Sequence, residues 1–308
     1  MVDVKLTHEG AGFFRLEIGE GMTLLIDPVY TRLERERRVK LRELPKADFV
    51  LLTEGMADRF EDLLDILEGS EATLVADPVL CDEVARELDL AAARFMDLGE
   101  FESARCGRFR VTAFPIEVPA RHGGSLLGAI PTPAFVQEAG SRFVGGEPMA
   151  MMRRLPLVGS LGGMFMQQAF GAQRRNATGY RIEIEGGPTV VFLSSSLVES
   201  PDLRLLDELA EEGDTDVVLA AVDGESTEGL IWASRELEPE TMLLYRREDP
   251  WALGRGRHSV PVRRYIDALE EDAEGIEVRH LRDEESWSPK PARPVAAEDK
   301  SKNLKVPA

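Results

Sequence analysis

Apolar and polar residues alternate along Phe13-Phe14-Arg15-Leu16-Glu17-Ile18, the period-two pattern of a strand with one buried face. Gly19-Glu20-Gly21 supplies a turn, and Thr23-Leu24-Leu25-Ile26 is a second short strand, stopped by Asp27-Pro28. The pair predicts a hairpin. Tyr180 to Ile184, the turn Gly186-Gly187 and Thr189 to Leu193 repeat the arrangement later in the chain. Phe14 falls on Tyr180, Arg15 on Arg181, Glu17 on Glu183 and Thr23 on Thr189 without a gap. At nearly the same separation, Ala47-Asp48-Phe49-Val50-Leu51 falls on Thr215-Asp216-Val217-Val218-Leu219. These matches predict an internal duplication: two β-rich halves, each with its own helices, packed sheet on sheet.

Phe49-Val50-Leu51-Leu52 is a continuous apolar run, too short for a helix, and predicts a buried strand. Phe60, Leu63, Leu64 and Leu67 then recur at i, i+3, i+4 and i+7, the spacing of a helix face. Thr53 to Arg59 is therefore a loop that leaves the end of a core strand and enters a helix. In open α/β sheets ligands sit at such loops. Further strands are predicted at 72–76, 109–114, 241–245 and 276–278. Helices are predicted after Asp77-Pro78, where Asp is an N-cap and Pro the first helical residue, and after Ser200-Pro201. A last helix carries Val262, Tyr265, Ile266 and Leu269.

The chain has 308 residues, 43% hydrophobic and 30% charged, with a net charge of −19. That charge opposes contact with nucleic-acid phosphates, so no nucleic-acid partner is expected. Two cysteines, Cys81 and Cys106, cannot build a disulfide framework or a cysteine metal knuckle. Cys81 shares a helix face with Val84, Ala85 and Leu88 and is expected buried and inert. No apolar segment reaches membrane-spanning length, and the first ten residues lack a signal-peptide core, so a cytoplasmic setting is expected.

The loop Thr53-Glu54-Gly55-Met56-Ala57-Asp58-Arg59 resembles the T-H-x-H-x-D-H motif of the metallo-β-lactamase-fold superfamily. The resemblance covers roughly residues 4 to 250. It implies a four-layer αββα sandwich, in agreement with the duplication. It also implies a site for one or two metal ions, usually zinc, whose bound water becomes the nucleophile. Residue by residue, the match keeps Thr53 and Asp58. Glu54, Met56 and Arg59 stand where the family has histidines. A thioether at Met56 is a poor zinc ligand, and packing is its better reading. Arg59 places a permanent cation at a ligand position and could pair with Asp58 or Glu54. Asp58 either binds metal or caps the helix that follows. His122 falls near the family's next histidine, and Tyr245 near a late one. Ser195, in Ser194-Ser195-Ser196, stands where the family has a bridging acid. The four histidines of the chain are too few for a family-type two-zinc site, and His8, His258 and His280 lie off the motif.

The candidates for residual chemistry are Asp58, Glu54 and His122, which could hold a single Mg²⁺ or Mn²⁺, with Zn²⁺ less suited. The expectation is no resident cofactor and a pseudoenzyme that binds a ligand or partner. The alternatives are a hydrolase with a carboxylate-rich single-metal site and an assembly subunit.

Residues 131–177 break the strand-helix rhythm. They hold Met149, Met151, Met152, Met164 and Met166, with Gly159, Gly162 and Gly163, and their charges include Arg153, Arg154, Arg174 and Arg175. They are expected to form an inserted flap within a single domain of residues 1–287. The flap would serve as a homo-oligomer or partner interface, with lipid contact the lesser alternative. Residues 288–308 are expected to be a disordered tail.

Overall fold

The structure is a computed structural model, and it describes residues 2–19, 21–29, 47–53, 57–117, 176–193, 197–198, 201–222, 226–246, 261–273 and 275–289. For residues 57–61, 117, 176 and 177 only the backbone is described. The strands are β1 (Val4–Gly10), β2 (Phe13–Ile18), β3 (Met22–Ile26), β4 (Phe49–Leu51), β5 (Thr73–Ala76), β6 (Phe95–Asp97), β7 (Ser103–Cys106), β8 (Phe109–Glu117), β9 (Asn176–Ile184), β10 (Thr189–Leu193), β11 (Val217–Ala221), β12 (Thr241–Tyr245), β13 (Glu277–His280) and β14 (Ser286–Trp287). The helices are α1 (Ala57–Gly69), α2 (Pro78–Glu87), α3 (Leu203–Glu211), α4 (Glu228–Leu237) and α5 (Val262–Asp272).

Among the described residues the strands form two seven-stranded sheets, in the orders β14-β1-β2-β3-β4-β5-β6 and β7-β8-β9-β10-β11-β12-β13. Taken in these orders, both sheets have three antiparallel pairings followed by three parallel ones. The duplication read from the sequence is therefore present in the topology. It also extends to side chains. The Asp48 carboxylate accepts the Thr23 N–H at 2.8 Å, and the Asp216 carboxylate accepts the Thr189 N–H at 2.6 Å. Each ties the start of a parallel strand to the neighbouring hairpin strand, on the side remote from the candidate loop.

One face of each sheet meets the other in a shared core. Leu16, Leu24 and Leu51 of the first sheet pack there with Val111, Ile182 and Leu219 of the second. The outer face of the first sheet is covered by α1 and α2, through Leu63, Leu67, Leu80 and Val84. The outer face of the second is covered by α3, α4 and α5, through Leu206, Leu209, Leu230, Tyr265 and Leu269. Burying one such leucine contributes about 1.5–3 kcal/mol, so each amphipathic helix is fixed mainly by its apolar stripe. This is the αββα sandwich.

The predicted cap of α2 is present: Asp77 accepts from the N–H groups of Val79 and Leu80, with Pro78 at the first helical position. The cap of α3 differs. Asp202 holds it, accepting the Leu205 N–H at 3.2 Å, rather than Ser200. A carboxylate three residues before a free helix N–H accepts it more strongly than a hydroxyl further away. Four edge or near-edge strands, β1, β6, β7 and β14, and the helix α4 carry short or mixed patterns that the periodicity argument passed over. No described helix is long and apolar enough to cross a membrane. Residues 118–175, which include most of the expected flap, and residues 290–308 of the expected tail lie outside the described residues.

Candidate functional site

The candidate loop begins where β4 ends, and two halves of the molecule grip it there. From the first half, Asp27 follows β3 with a left-handed backbone, φ 52°, a conformation that Asp tolerates better than most side chains. This turn aims its buried carboxylate at the next strand. Oδ1 accepts the Thr53 N–H at 2.8 Å and Oδ2 accepts the Thr53 hydroxyl at 2.6 Å. The Asp27 N–H donates in turn to the Leu51 carbonyl at 2.9 Å. From the second half, the Thr178 N–H donates to the Thr53 carbonyl at 2.8 Å, and the Tyr180 hydroxyl donates to the Leu52 carbonyl at 2.7 Å. Tyr180 is fully buried, and burial, with the charges of Asp27, Asp77 and the Cys81 sulfur, pushes its pKa well above the ordinary phenol value. It stays a neutral donor at any working pH.

Around this grip lies a small pocket lined by Gly12, Phe14, Ile26, Asp27, Thr53, Thr178, Phe192, Leu193 and Tyr245. Its aromatic wall is a set of edge-on rings. Phe14 meets Tyr245 at 4.6 Å and Phe192 at 6.3 Å between centroids. His8 stacks on Phe14 at 4.7 Å, and its Nδ1–H donates to the Leu281 carbonyl at 3.1 Å. Both thiols lie away from this pocket and are buried. Burial pushes Cys81 up to about 12, with Asp77 and Asp97 adding to it, and pushes Cys106 to about 11. Neither supplies a thiolate nucleophile near neutral pH.

Of the residues singled out in the sequence, Tyr245 lies in the pocket, at the end of β12. Glu54, Met56, His122 and Ser195 lie outside the described residues, as does His258. Asp58 and Arg59 are described by backbone alone. Helix α1 starts at Ala57, so both lie within its first turn, and Asp58 does not occupy the cap position expected for it. His280 is on β13 and His8 on β1, both away from the loop. The pattern reading missed Asp27, Thr178 and Tyr180. Asp27 was visible only as the residue that stops a strand, and Tyr180 only as the partner of Phe14 in the duplication. A polar residue at the cleft end of each apolar run was the available signal. Among the described residues, no group of three or more His, Cys, Asp and Glu is placed to hold a metal ion.

The comparisons with known proteins agree with this fold. A model of the beta-lactamase superfamily domain matches residues 22–142. A protein of Rubrobacter xylanophilus named as a UPF0173 metal-dependent hydrolase is 28% identical over 148 residues, which are 48% of this chain and 54% of the relative. The chain thus spans about half the length of that curated relative. Among solved structures, Igni18, a metallo hydrolase from Ignicoccus hospitalis, superposes with a TM-score of 0.58 at 16% identity, over 94% of this chain and 99% of that one. The metallo-beta-lactamase fold protein YhfI from Bacillus subtilis gives 0.57 at 12% identity, over 94% and 100%. The paired sheets and these likenesses converge on one architecture: the chain has the metallo-β-lactamase fold, with a beta-lactamase superfamily domain matched over residues 22–142.

Proposed function

We propose that this protein uses the cleft to bind a ligand or partner, without the two-metal hydrolysis of the metallo-β-lactamase-fold superfamily. The observation that carries the reading is the loop Thr53 to Arg59. Its backbone entry is held by Asp27, Thr178 and Tyr180, yet Glu54, Met56 and Arg59 fill the histidine positions. The pocket's donor set points the same way. Among the described lining residues Asp27 is the one carboxylate, and both of its oxygens accept hydrogen bonds from Thr53. His8, which reaches the wall from behind Phe14, gives its Nδ1–H to a backbone carbonyl. This set does not fit a histidine-rich two-metal centre. What it presents is an apolar aromatic wall beside a carboxylate fixed by Thr53.

A second reading is supported by the name of the Rubrobacter relative, a metal-dependent hydrolase. On this reading Glu54, Asp58 and His122 would hold one Mg²⁺ or Mn²⁺, which would activate a water. Elemental analysis of the purified protein, with calorimetric titration of Zn²⁺ and Mn²⁺, separates the two. We expect no stoichiometric zinc and no saturable Mn²⁺ binding. One or two zinc ions per chain would overturn the proposal. A single Mn²⁺ site, with phosphodiester or ester hydrolysis that chelation abolishes, would establish the second reading. Replacing Glu54, Met56 and Arg59 together by His should create zinc affinity where the parent has none.

The insertion adds a partner surface to this proposal. It leaves the second sheet at Glu117 and returns at Asn176, paired residues at the end of the sheet where Thr178 lines the pocket. Its methionines and arginines suit an apolar contact with a second, acidic copy of the chain. Replacing Met149 to Phe170 with a short Gly-Ser linker should change the oligomeric state seen by light scattering, or abolish liposome binding. A stable deletion variant with the parent's oligomeric state and liposome binding would remove the insertion from the proposal.

A further inference from the structure

The second sheet ends at β13, and among the described residues no strand pairs with its outer edge. The Glu277 N–H donates to the Glu240 carbonyl at 3.0 Å, and the Leu281 N–H donates to the Leu244 carbonyl at 2.8 Å. The odd-numbered residues therefore turn their backbone groups towards β12. Backbone groups alternate sides along a strand. The N–H and C=O groups of Val278 and His280, and the Ile276 carbonyl, thus point along the outer edge. Side chains alternate between the two faces of the sheet. Val278, beside Met242, lies on the face covered by helices, and Arg279, beside Leu243, lies with Glu277 on the face turned towards the other sheet.

This edge is self-complementary. An antiparallel copy, related by a two-fold axis at Val278, sets the two Val278 residues opposite each other, each donating its N–H to the other's carbonyl. His280 of each chain then donates to the Ile276 carbonyl of the other. The rungs between are not hydrogen-bonded, and side chains approach most closely there. They set Glu277 opposite the Arg279 of the other chain on both sides of the axis, an attractive cross-strand pair. Slipping the register by two residues would instead oppose Arg279 to Arg279, or Glu277 to Glu277. Charges on an edge strand ordinarily discourage pairing, but here their signs alternate about Val278 and pairing satisfies them. Arg279 retains donors for this contact, since it meets Glu285 at 3.6 Å and is 39% exposed. Ile276, Val278 and Ile266 of α5 are half-buried and add apolar surface. The other sheet edges lack these features. β14 has two residues and β6 three, and the one charge on β7, Arg105, is bonded to Glu185 of its own chain.

We propose that β13 is a self-association edge, at which two copies of the chain join their second sheets into one. The contact is isologous and closes on itself, so it stops at a dimer. It uses neither the cleft nor the insertion.

The test is made on the full chain at about 0.15 M salt, where exposed charges more than about 8 Å apart are screened. Light scattering and sedimentation should show a dimer. Glu277→Arg opposes arginines across the axis and leaves the contact of Arg279 with Glu285 in place; Arg279→Glu opposes glutamates. Each variant alone should dimerise about tenfold more weakly or worse. Mixed in equal amounts, the two should associate at least as tightly as the parent, because two arginines of one chain then face two glutamates of the other. Hydrogen exchange reads the register. The Val278 and His280 amides should exchange about tenfold more slowly in the dimer than in the diluted monomer, with Glu277 and Arg279 unchanged. A parent still monomeric at about 1 mM, folded variants with the parent's affinity, or a mixture no tighter than either variant alone would overturn the proposal. A dimer that survives Glu277→Arg but is lost on replacing Met149 to Phe170 would also overturn it, and would assign association to the insertion.

Discussion

The two halves share their frame and differ at the cleft. At the end remote from the cleft the copies agree: Asp48 and Asp216 clamp Thr23 and Thr189, and Arg15 and Arg181 each pair with the acid two residues on, Glu17 and Glu183. At the cleft end they part. The first half joins its leading strands through Ala11 and Gly12, where the second inserts residues 118–175. Tyr245 ends β12 on the cleft wall, whereas its counterpart Asp77 follows β5 and caps α2. The difference separates two demands on one sequence unit. Positions that tie strands together tolerate little change, because each buried N–H must find an acceptor. At the cleft end the same demand is met differently, by Asp27 and Thr178 around Thr53.

A glycine and a phenylalanine exchanged between the halves give the largest expected effect. Gly10 pairs across strands with Phe13 in the first half, and Phe114 pairs with Gly179 in the second. The Phe114 ring lies where a side chain at Gly179 would have to go, and it is fully buried among outer-layer residues. Gly179→Val should destabilise by about 3 kcal/mol, the upper end for overpacking. Adding Phe114→Ala should recover about 2 kcal/mol relative to the sum of the single changes, measured by urea unfolding. Additive effects would mean that the pair is not a shared packing unit.

The frame was legible because it rests on period-two runs and on one aspartate repeated before each central strand. Those features are local. The cleft grip was not legible in this way. Asp27, Thr53, Thr178 and Tyr180 come from separate strands, and no local pattern marks a hydrogen bond between them. The resemblance in Thr53 to Arg59 located the loop but not what holds it. The alternative reading of Asp58, as the cap of a helix beginning near Phe60, does not fit because α1 already starts at Ala57.

Asp27 marks the asymmetry next. The two frame clamps each accept one backbone N–H across the hairpin, whereas Asp27 accepts both the N–H and the hydroxyl of Thr53. Replacing Asp48 or Asp216 by Ala should cost about 1–1.5 kcal/mol each, equal within about 0.5 kcal/mol. Asp27→Ala should cost about 2 kcal/mol and raise exchange at the Thr53 amide by more than global destabilisation accounts for. Equal losses at all three positions, with no local exchange at Thr53, would show Asp27 to be a third frame clamp and not the anchor of the loop.

The smallest expected effect compares the outermost parallel strands. At matching rungs, β6 ends in Asp97, paired with Ala76, and β13 ends in His280, paired with Leu244. Burial lowers the His280 pKa below the ordinary imidazole value of 6.5, and the nearby Arg282 and Arg246 lower it further, against the opposing pull of Glu285 and Asp283. The folded state therefore favours the neutral ring. Its contribution to stability is complete above the unfolded value near 6.5 and is lost as pH falls through the depressed folded value. One proton bounds the slope at about 1.4 kcal/mol per pH unit, and the half-exposed ring keeps the total well below that. His280→Gln keeps a neutral polar group of similar reach and should remove this part of the acid limb. The measurement is the difference in urea midpoint between parent and variant, followed from about pH 8 down to about pH 5. It should stay flat above about pH 7 and turn in favour of the variant below. A difference that is constant across the range would mean that His280 takes up its proton equally in the folded and unfolded chains.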